Sequence, residues 1–148
     1  MSELDSNLAK ADKYLQAFQE KTTGHFINGE LVIPDGAETY TNTTPTDQSS
    51  LGKVVKGTEA DVNRACEAAE NAFVDWRDIS GAERKKILHH FADKVVDRAE
   101  EIALVESMDC GQPIRFMKQA AVRGAANFRY FADSATEAQN GLALHQDE

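Results

Sequence analysis

The chain has 148 residues with 16 Lys+Arg against 25 Asp+Glu, a formal net charge of −9, and its 41% hydrophobic and 28% charged residues are ordinary for one folded domain. The acidic balance excludes nucleic acid and anionic membrane as main partners, because both are repelled by the long-range field. Two cysteines, Cys66 and Cys110, are too few for a disulfide framework. No run approaches 18 apolar residues, and Glu3, Asp5, Asp12 and Glu20 are foreign to a secretory or mitochondrial leader, so a cytoplasmic protein is expected.

Leu4, Leu8, Ala11, Leu15 and Phe18 recur with the period of one helical face, which predicts an amphipathic helix over residues 1–21, docked lightly on the body. From Gly24 the period changes. His25-Phe26-Ile27 and Glu30-Leu31-Val32-Ile33 flank Asn28-Gly29, the pair that most favours a two-residue hairpin. Tyr40 to Thr44 reads as an extended piece, and Gly52 to Lys56 as another short strand.

Thr58-Glu59-Ala60-Asp61 resembles a capping box, and Val62, Ala65, Cys66, Ala69, Ala72, Phe73 and Trp76 then share one face, which is expected to pack on a core. Ser80-Gly81-Ala82-Glu83 opens the next helix, with Ile87, Leu88, Phe91, Ala92 and Val95 inward. The periodic stretch runs on to Met108 but changes phase at Asp97-Arg98-Ala99-Glu100, which predicts a break near Asp97. Gly111 ends that third helix, and Pro113 opens a fourth over Ile114 to Ala135. Its stripe is Ile114, Met117, Ala121, Gly124, Ala125, Phe128, Phe131, Ala132 and Ala135. Leu142-Ala143-Leu144 begins a further strand.

The nine glycines make no phosphate-binding turn, and His25, His89, His90 and His145 make no metal-ligand spacing. His89 and His90 read as a solvated helix surface. Cys66 reads as core packing, and Cys110, at a helix C-terminus, as a thiol whose pKa is raised and whose nucleophilicity is poor. The hydroxyls of Thr41, Thr43, Thr44, Ser49 and Ser50 are explained by turns, and Arg115, Lys118 and Arg129 by a snorkelling rim. Glu106 and Asp109 stand apart, since the helix dipole disfavours a carboxylate in the last turn. Asp109 is then an exposed frayed end, a partner for an arginine, or a carboxylate that binds a cation together with carbonyl oxygens.

The order of segments carries more than any one motif. Phe26-Ile27-Asn28-Gly29-Glu30, Thr44-Pro45-Thr46, Asp61-Val62 with Ala68-Ala69, Ala72-Phe73 and Trp76, Glu83-Arg84 with Ile87-Leu88, Asp109-Cys110-Gly111-Gln112-Pro113 and Asn127-Phe128-Arg129-Tyr130-Phe131-Ala132 follow one another at compatible spacings. Over residues 25–141 this resembles the N-terminal third of an aldehyde dehydrogenase, with Thr44 replacing the usual asparagine and Gln112 the commoner lysine. Gly111-Gln112-Pro113-Ile114 and Ala126-Asn127-Phe128-Arg129 are similar to the hydroxymuconic-semialdehyde group.

The resemblance implies an α/β fold: a β-hairpin and short strands, then about four helices flanking an incomplete Rossmann-like sheet. It divides the chain into an N-terminal extension, 1–23, part of a cofactor-binding domain, 24–141, and the start of a truncated strand or oligomerisation segment, 142–148. Members oxidise an aldehyde to its acid through a cysteine thioester, with hydride passing to NAD or NADP and a glutamate activating the hydrolytic water. The nucleophile, general-base and cofactor-turn motifs lie further downstream, and neither Cys66 nor Cys110 matches the nucleophile. No catalytic or cofactor-binding residue is therefore assigned, and the chain alone is expected to be inactive. The resemblance also implies that Asp109, with backbone oxygens of Asn42 and Thr43, helps bind K+ or Na+. A small aldehyde and a homo-oligomer are implied for the full-length enzyme, with neither nucleic acid nor membrane. A self-contained helical assembly module and a small cation-responsive domain are the alternatives.

Overall fold

The computed structural model describes residues 2–136, so the strand expected at Leu142-Ala143-Leu144 lies outside the described residues. In chain order the elements are α1 (Glu3–Glu20), β1 (His25–Ile27), β2 (Glu30–Val32), β3 (Thr39–Thr43), β4 (Ser50–Val55), α2 (Glu59–Asp78), α3 (Gly81–Asp97), α4 (Ala99–Cys110), α5 (Ile114–Met117) and α6 (Ala120–Ser134).

α1 begins in a reciprocal capping box: the Ser2 hydroxyl accepts from the Asp5 N–H while the Asp5 carboxylate accepts from the Ser2 N–H. Its inner stripe buries Ala11 and Leu15 against α4 and β4, whereas Leu4, Leu8 and Phe18 stay largely exposed. Two ion pairs fasten its outer edge, Lys10 to Glu100 and Glu3 to Lys118. At its C-terminal end the Phe18 carbonyl lies over Gly52, where any side chain would collide with it and where φ is +130°. Glycine at that point lets the helix settle on the strand.

The Asn-Gly turn forms as the sequence predicts. Asn28 and Gly29 have φ of 53° and 81°, the two positive values a type I′ turn needs, and they set the register His25 to Val32, Phe26 to Leu31 and Ile27 to Glu30. A second antiparallel ladder joins β3 and β4, with a bulge between Asn42 and Thr43. Thr23 bridges to it, donating to the Lys53 carbonyl and accepting from the Val55 N–H. Both ladders are two-stranded, and among the described residues no larger parallel sheet is present.

Among the described residues, α3 and α6 share the most extensive contact between two elements. Ala92, Ala125 and Ala132 are fully buried, and Phe91 meets Phe128 edge to face with ring centroids 4.7 Å apart. Gly81 admits the end of α6, because a Cβ there would lie 2.6 Å from the Ala135 carbonyl oxygen. The break between α3 and α4 falls where the phase change predicts it, with Arg98 rather than Asp97 as the junction residue.

Three expectations are corrected. The fourth helix is not continuous from Ile114 to Ala135: Lys118 and Gln119 form a turn between α5 and α6, and the Gln119 N–H donates to the Phe116 carbonyl three residues back. α5 lies along α4 while α6 lies mainly along α3, and one straight helix cannot serve both surfaces. Pro113 accordingly sits at the cap of α5, where its carbonyl accepts from Phe116 and Met117.

The second correction concerns α2, which forms with both the Thr58–Asp61 box and the predicted length but packs on no core. Val62, Phe73 and Val74 are about half exposed, Trp76 is only slightly less so, and Cys66, expected inside, is exposed as well. The hairpin touches the helix near its alanines and Arg84 lies over the Trp76 ring, while Val62, Phe73 and Val74 stay about half exposed. The third correction is smaller: Ile87 and Phe91 of α3, expected inward, and Phe128 and Phe131 of α6 lie at the exposed margins of their helices, whose buried line is made of alanines.

Candidate functional site

Asn42 and Thr43, whose backbone oxygens the resemblance joins to Asp109 for a cation, lie far from Asp109 in the chain, and the fold brings the Asn42 side chain to it. Gly111 ends α4 in the left-handed conformation, φ +71°, and a Cβ there would stand 2.9 Å from Pro45 Cγ. That close approach carries the last turn of α4 to the β3–β4 ladder. Asn42, just before the bulge, then donates from Nδ2 to Asp109 Oδ1 at 2.6 Å. Thr43 is half-buried in the strand and takes no part in this contact. Thr44, next to it, is fully buried and shapes the turn, its N–H donating to the Ser49 carbonyl and its carbonyl accepting from the Gln48 N–H.

Asp109 is therefore neither a frayed end nor an arginine partner. Among the described residues no basic side chain pairs with it, and its one polar partner is a neutral amide. It stands at the mouth of a cleft of about 210 Å³ between α1, β4 and α4, walled by Leu15, Phe18, Leu51, Val54 and Val105. For a metal ion this donor set is thin. One carboxylate is present, the nearest amide presents N–H rather than oxygen, and no cluster of three or more His, Cys, Asp or Glu forms among the described residues.

Glu106, the other carboxylate of the pair, faces Cys110 instead. The thiol donates to Glu106 Oε1 at 2.9 Å. That hydrogen bond, then burial, then the charges of Glu106 and Asp109 push the Cys110 thiol above its ordinary range. A thiolate is disfavoured there at neutral pH, which agrees in direction with the expectation from the helix dipole and adds the Glu106 hydrogen bond as a cause.

The most perturbed carboxylate is one that sequence reasoning treats only as a helix cap. Asp61 is 7% exposed. It accepts from the Thr58 N–H at 2.9 Å, from the Thr58 hydroxyl at 2.7 Å and from Arg64 at 2.6 Å, and His25 Nε2 lies 3.5 Å away. The Thr58 hydrogen bonds above all, helped by Arg64 and His25, hold its carboxyl at about 2. Asp61 thus ties the hairpin to the start of α2. The Thr58 and Arg64 partners are legible in the sequence at i−3 and i+3, but His25 is on another element.

Other polar expectations resolve into structural ties. His89, expected on a solvated surface, is half-buried, and its Nε2 lies 2.8 Å from Asp133 Oδ1, which Lys85 also meets at 3.0 Å. Arg129 pairs with Asp93 at 2.6 Å and Lys118 with Glu3 at 2.9 Å, so two members of the expected rim bind specific carboxylates. Arg115 lies over the Phe116 ring. Arg84 donates to the Trp76 carbonyl at 3.0 Å and sits over the Trp76 ring, closing the C-terminal end of α2.

The profile of the aldehyde dehydrogenase family matches residues 32–148, the greater part of the chain. The chain belongs to the aldehyde dehydrogenase family. It is 36% identical over 121 residues to the NADP/NAD-dependent aldehyde dehydrogenase PuuC of Escherichia coli K12, a match covering 80% of this chain and 24% of that protein. The crystal structure of HpcC from Thermus thermophilus superposes with a TM-score of 0.83 at 32% identity, over 88% of this chain and 25% of that one. Betaine aldehyde dehydrogenase from Staphylococcus aureus, solved with NAD+, gives a TM-score of 0.77 at 26% identity, over 85% of this chain and 25% of that one. The chain thus spans about a quarter of the length of the relatives it matches, and the α/β arrangement of hairpin, short strands and helices is that family's.

Proposed function

We propose that this chain acts as the N-terminal part of an NAD(P)-dependent aldehyde dehydrogenase that oxidises a small aldehyde, a semialdehyde of the hydroxymuconic type, to its carboxylic acid. The observation that carries this reading is the superposition on HpcC across 88% of the chain but 25% of the relative. The open stripe of α2 supports it: Val62, Phe73 and Trp76 form an apolar face of the kind that covers a sheet. In this reading residues 24–141 belong to the cofactor-binding domain, residues 1–23 are an extension carrying α1, and residues 142–148 open an assembly segment. The completed enzyme is a cytoplasmic homo-oligomer that binds NAD or NADP through residues outside this chain. The 148 residues alone are inactive, because neither cysteine here is a candidate nucleophile.

Asp109 contributes a cation contact in the same reading. An alkali ion, K+ or Na+, would use the carboxylate with backbone oxygens of Asn42 and Thr43, and the Asn42 amide would have to turn its N–H away from Oδ1. The proposal is tested by the size and activity of the native species that carries this sequence. A polypeptide several times heavier than 16.3 kDa, with NAD(P)-dependent aldehyde oxidation, is expected. A native 16.3 kDa polypeptide forming a defined oligomer without that activity would overturn it in favour of an assembly module.

A further inference from the structure

We propose that His25 and Asp61 form a pH-responsive clasp between β1 and the first turn of α2, closed when the imidazole is protonated and loosened when it is neutral.

The observation behind it is a buried ring nitrogen without a partner. His25 Nε2 is shut off from solvent and makes no hydrogen bond, and it faces Asp61 Oδ2 at 3.5 Å. A buried polar atom in that state needs a physical reason. Asp61 Oδ2 already accepts from the Thr58 N–H and hydroxyl, at 2.9 and 2.7 Å. A neutral ring that turns its lone pair to this oxygen sets acceptor against acceptor, and one that turns its N–H there adds a third, long contact to an oxygen already served. Only the imidazolium brings an opposite charge to the carboxylate.

The charged groups around the ring are few. α2 supplies Asp61, 7% exposed, and Arg64, which holds the other carboxylate oxygen, Oδ1, at 2.6 Å. On the segment leading into α2, Lys56 is turned to Glu38 at 3.0 Å, and a Cβ at Gly57 would stand 3.6 Å from His25 Cε1. β2 sets Val32 opposite His25 in the ladder. Arg64 and the positive end of the α2 dipole oppose a cation here, and the Asp61 carboxylate favours one. The carboxylate lies directly against Nε2, whereas Arg64 is bound through the other oxygen and is half in solvent, so the attraction prevails.

The sign follows from linkage. The protonated ring favours the docked hairpin, so docking strengthens as pH falls through the imidazole range, ordinarily about 6.5. It weakens again only when the Asp61 carboxyl, held at about 2, takes up a proton. What the clasp positions is the turn of the hairpin, since Ile27, Asn28 and Gly29 line a groove with Ala65, Ala68 and Ala69 of α2. Opening it bares more of a helix whose stripe is already exposed.

The test is amide hydrogen exchange of the β1–β2 ladder in this chain at about pH 8 and about pH 5.5, on either side of the imidazole range. Rates are converted to protection factors, which removes the intrinsic effect of pH, and are referred to the β3–β4 ladder, which carries no histidine. The comparison is His25→Gln, a polar side chain that does not titrate, with His89 and His90 left in place on α3. The expected result is a ladder protection about threefold higher at the lower pH in the unaltered chain, the size suited to a pair with one partner 21% exposed, and no rise in His25→Gln. Equal protection at both pH values, a fall at the lower one, or the same rise in His25→Gln would overturn the proposal. Where the variant misfolds, the unaltered chain decides: the His25 ring signals and the amides of Asn28, Gly29 and Ala68 should shift together in one titration. Ring and amides moving independently would overturn the clasp.

Discussion

Two helices with equally regular apolar stripes end in opposite surroundings. α6 lays Ala121, Ala125 and Ala132 on α3 and buries them, whereas α2 leaves Val62, Phe73 and Val74 about half in water. The pattern specifies a face and says nothing about what the face meets. With little apolar burial of its own, α2 is held by polar devices: the Thr58–Asp61 box at one end, Arg84 at the other, and the Asp61 contact with His25 between helix and hairpin. The packed half, α1 with β4 and α4 and α3 with α6, adds dispersion and burial to ion pairs of its own, such as Lys10–Glu100 and Arg129–Asp93.

The largest expected effect separates the two halves directly. Leu15→Ala, at a site 3% exposed, should lower the unfolding free energy by about 2–5 kcal/mol in urea. Phe73→Ala, at a site 56% exposed, should change it by less than about 0.5 kcal/mol. Equal losses would erase the distinction.

A smaller effect sharpens it. The Asp61 carboxyl lies at about 2 in the folded chain, below the ordinary 3.8, so its contribution is fully present above about pH 4 and is lost as pH falls through about 2. Asp61→Asn should flatten this acid limb of the stability profile, read by the pH dependence of melting, and should loosen the hairpin before the α3–α6 pair. An acid limb identical in both proteins would contradict the tie.

Local chemistry was the legible part of this fold. The Asn28-Gly29 turn, the boxes at Thr58 and Ser80, the Gly111 stop and the break beside Asp97 each depend on residues within a few positions of one another. What depends on tertiary position was not legible. Nothing near Gln119 marks the kink between α5 and α6, which follows from α4 and α3 offering different surfaces. Cys66 has the neighbours of a core residue in sequence but is exposed in the fold. At the candidate site, the last-turn carboxylate of Asp109 was readable as an oddity, and the resemblance brought Asn42 beside it. The side-chain amide as its partner, the apolar cleft, and the Glu106 contact of Cys110 needed the fold.

The most direct measurement is binding of a hydrophobic dye to the 148-residue chain, with Val62→Ser and Phe73→Ser combined as the comparison. The account predicts that the unaltered chain binds the dye and that the double variant loses most of it while melting at nearly the same temperature. A chain that binds no dye, or a double variant that unfolds, would show that the α2 stripe is already covered and would contradict the account.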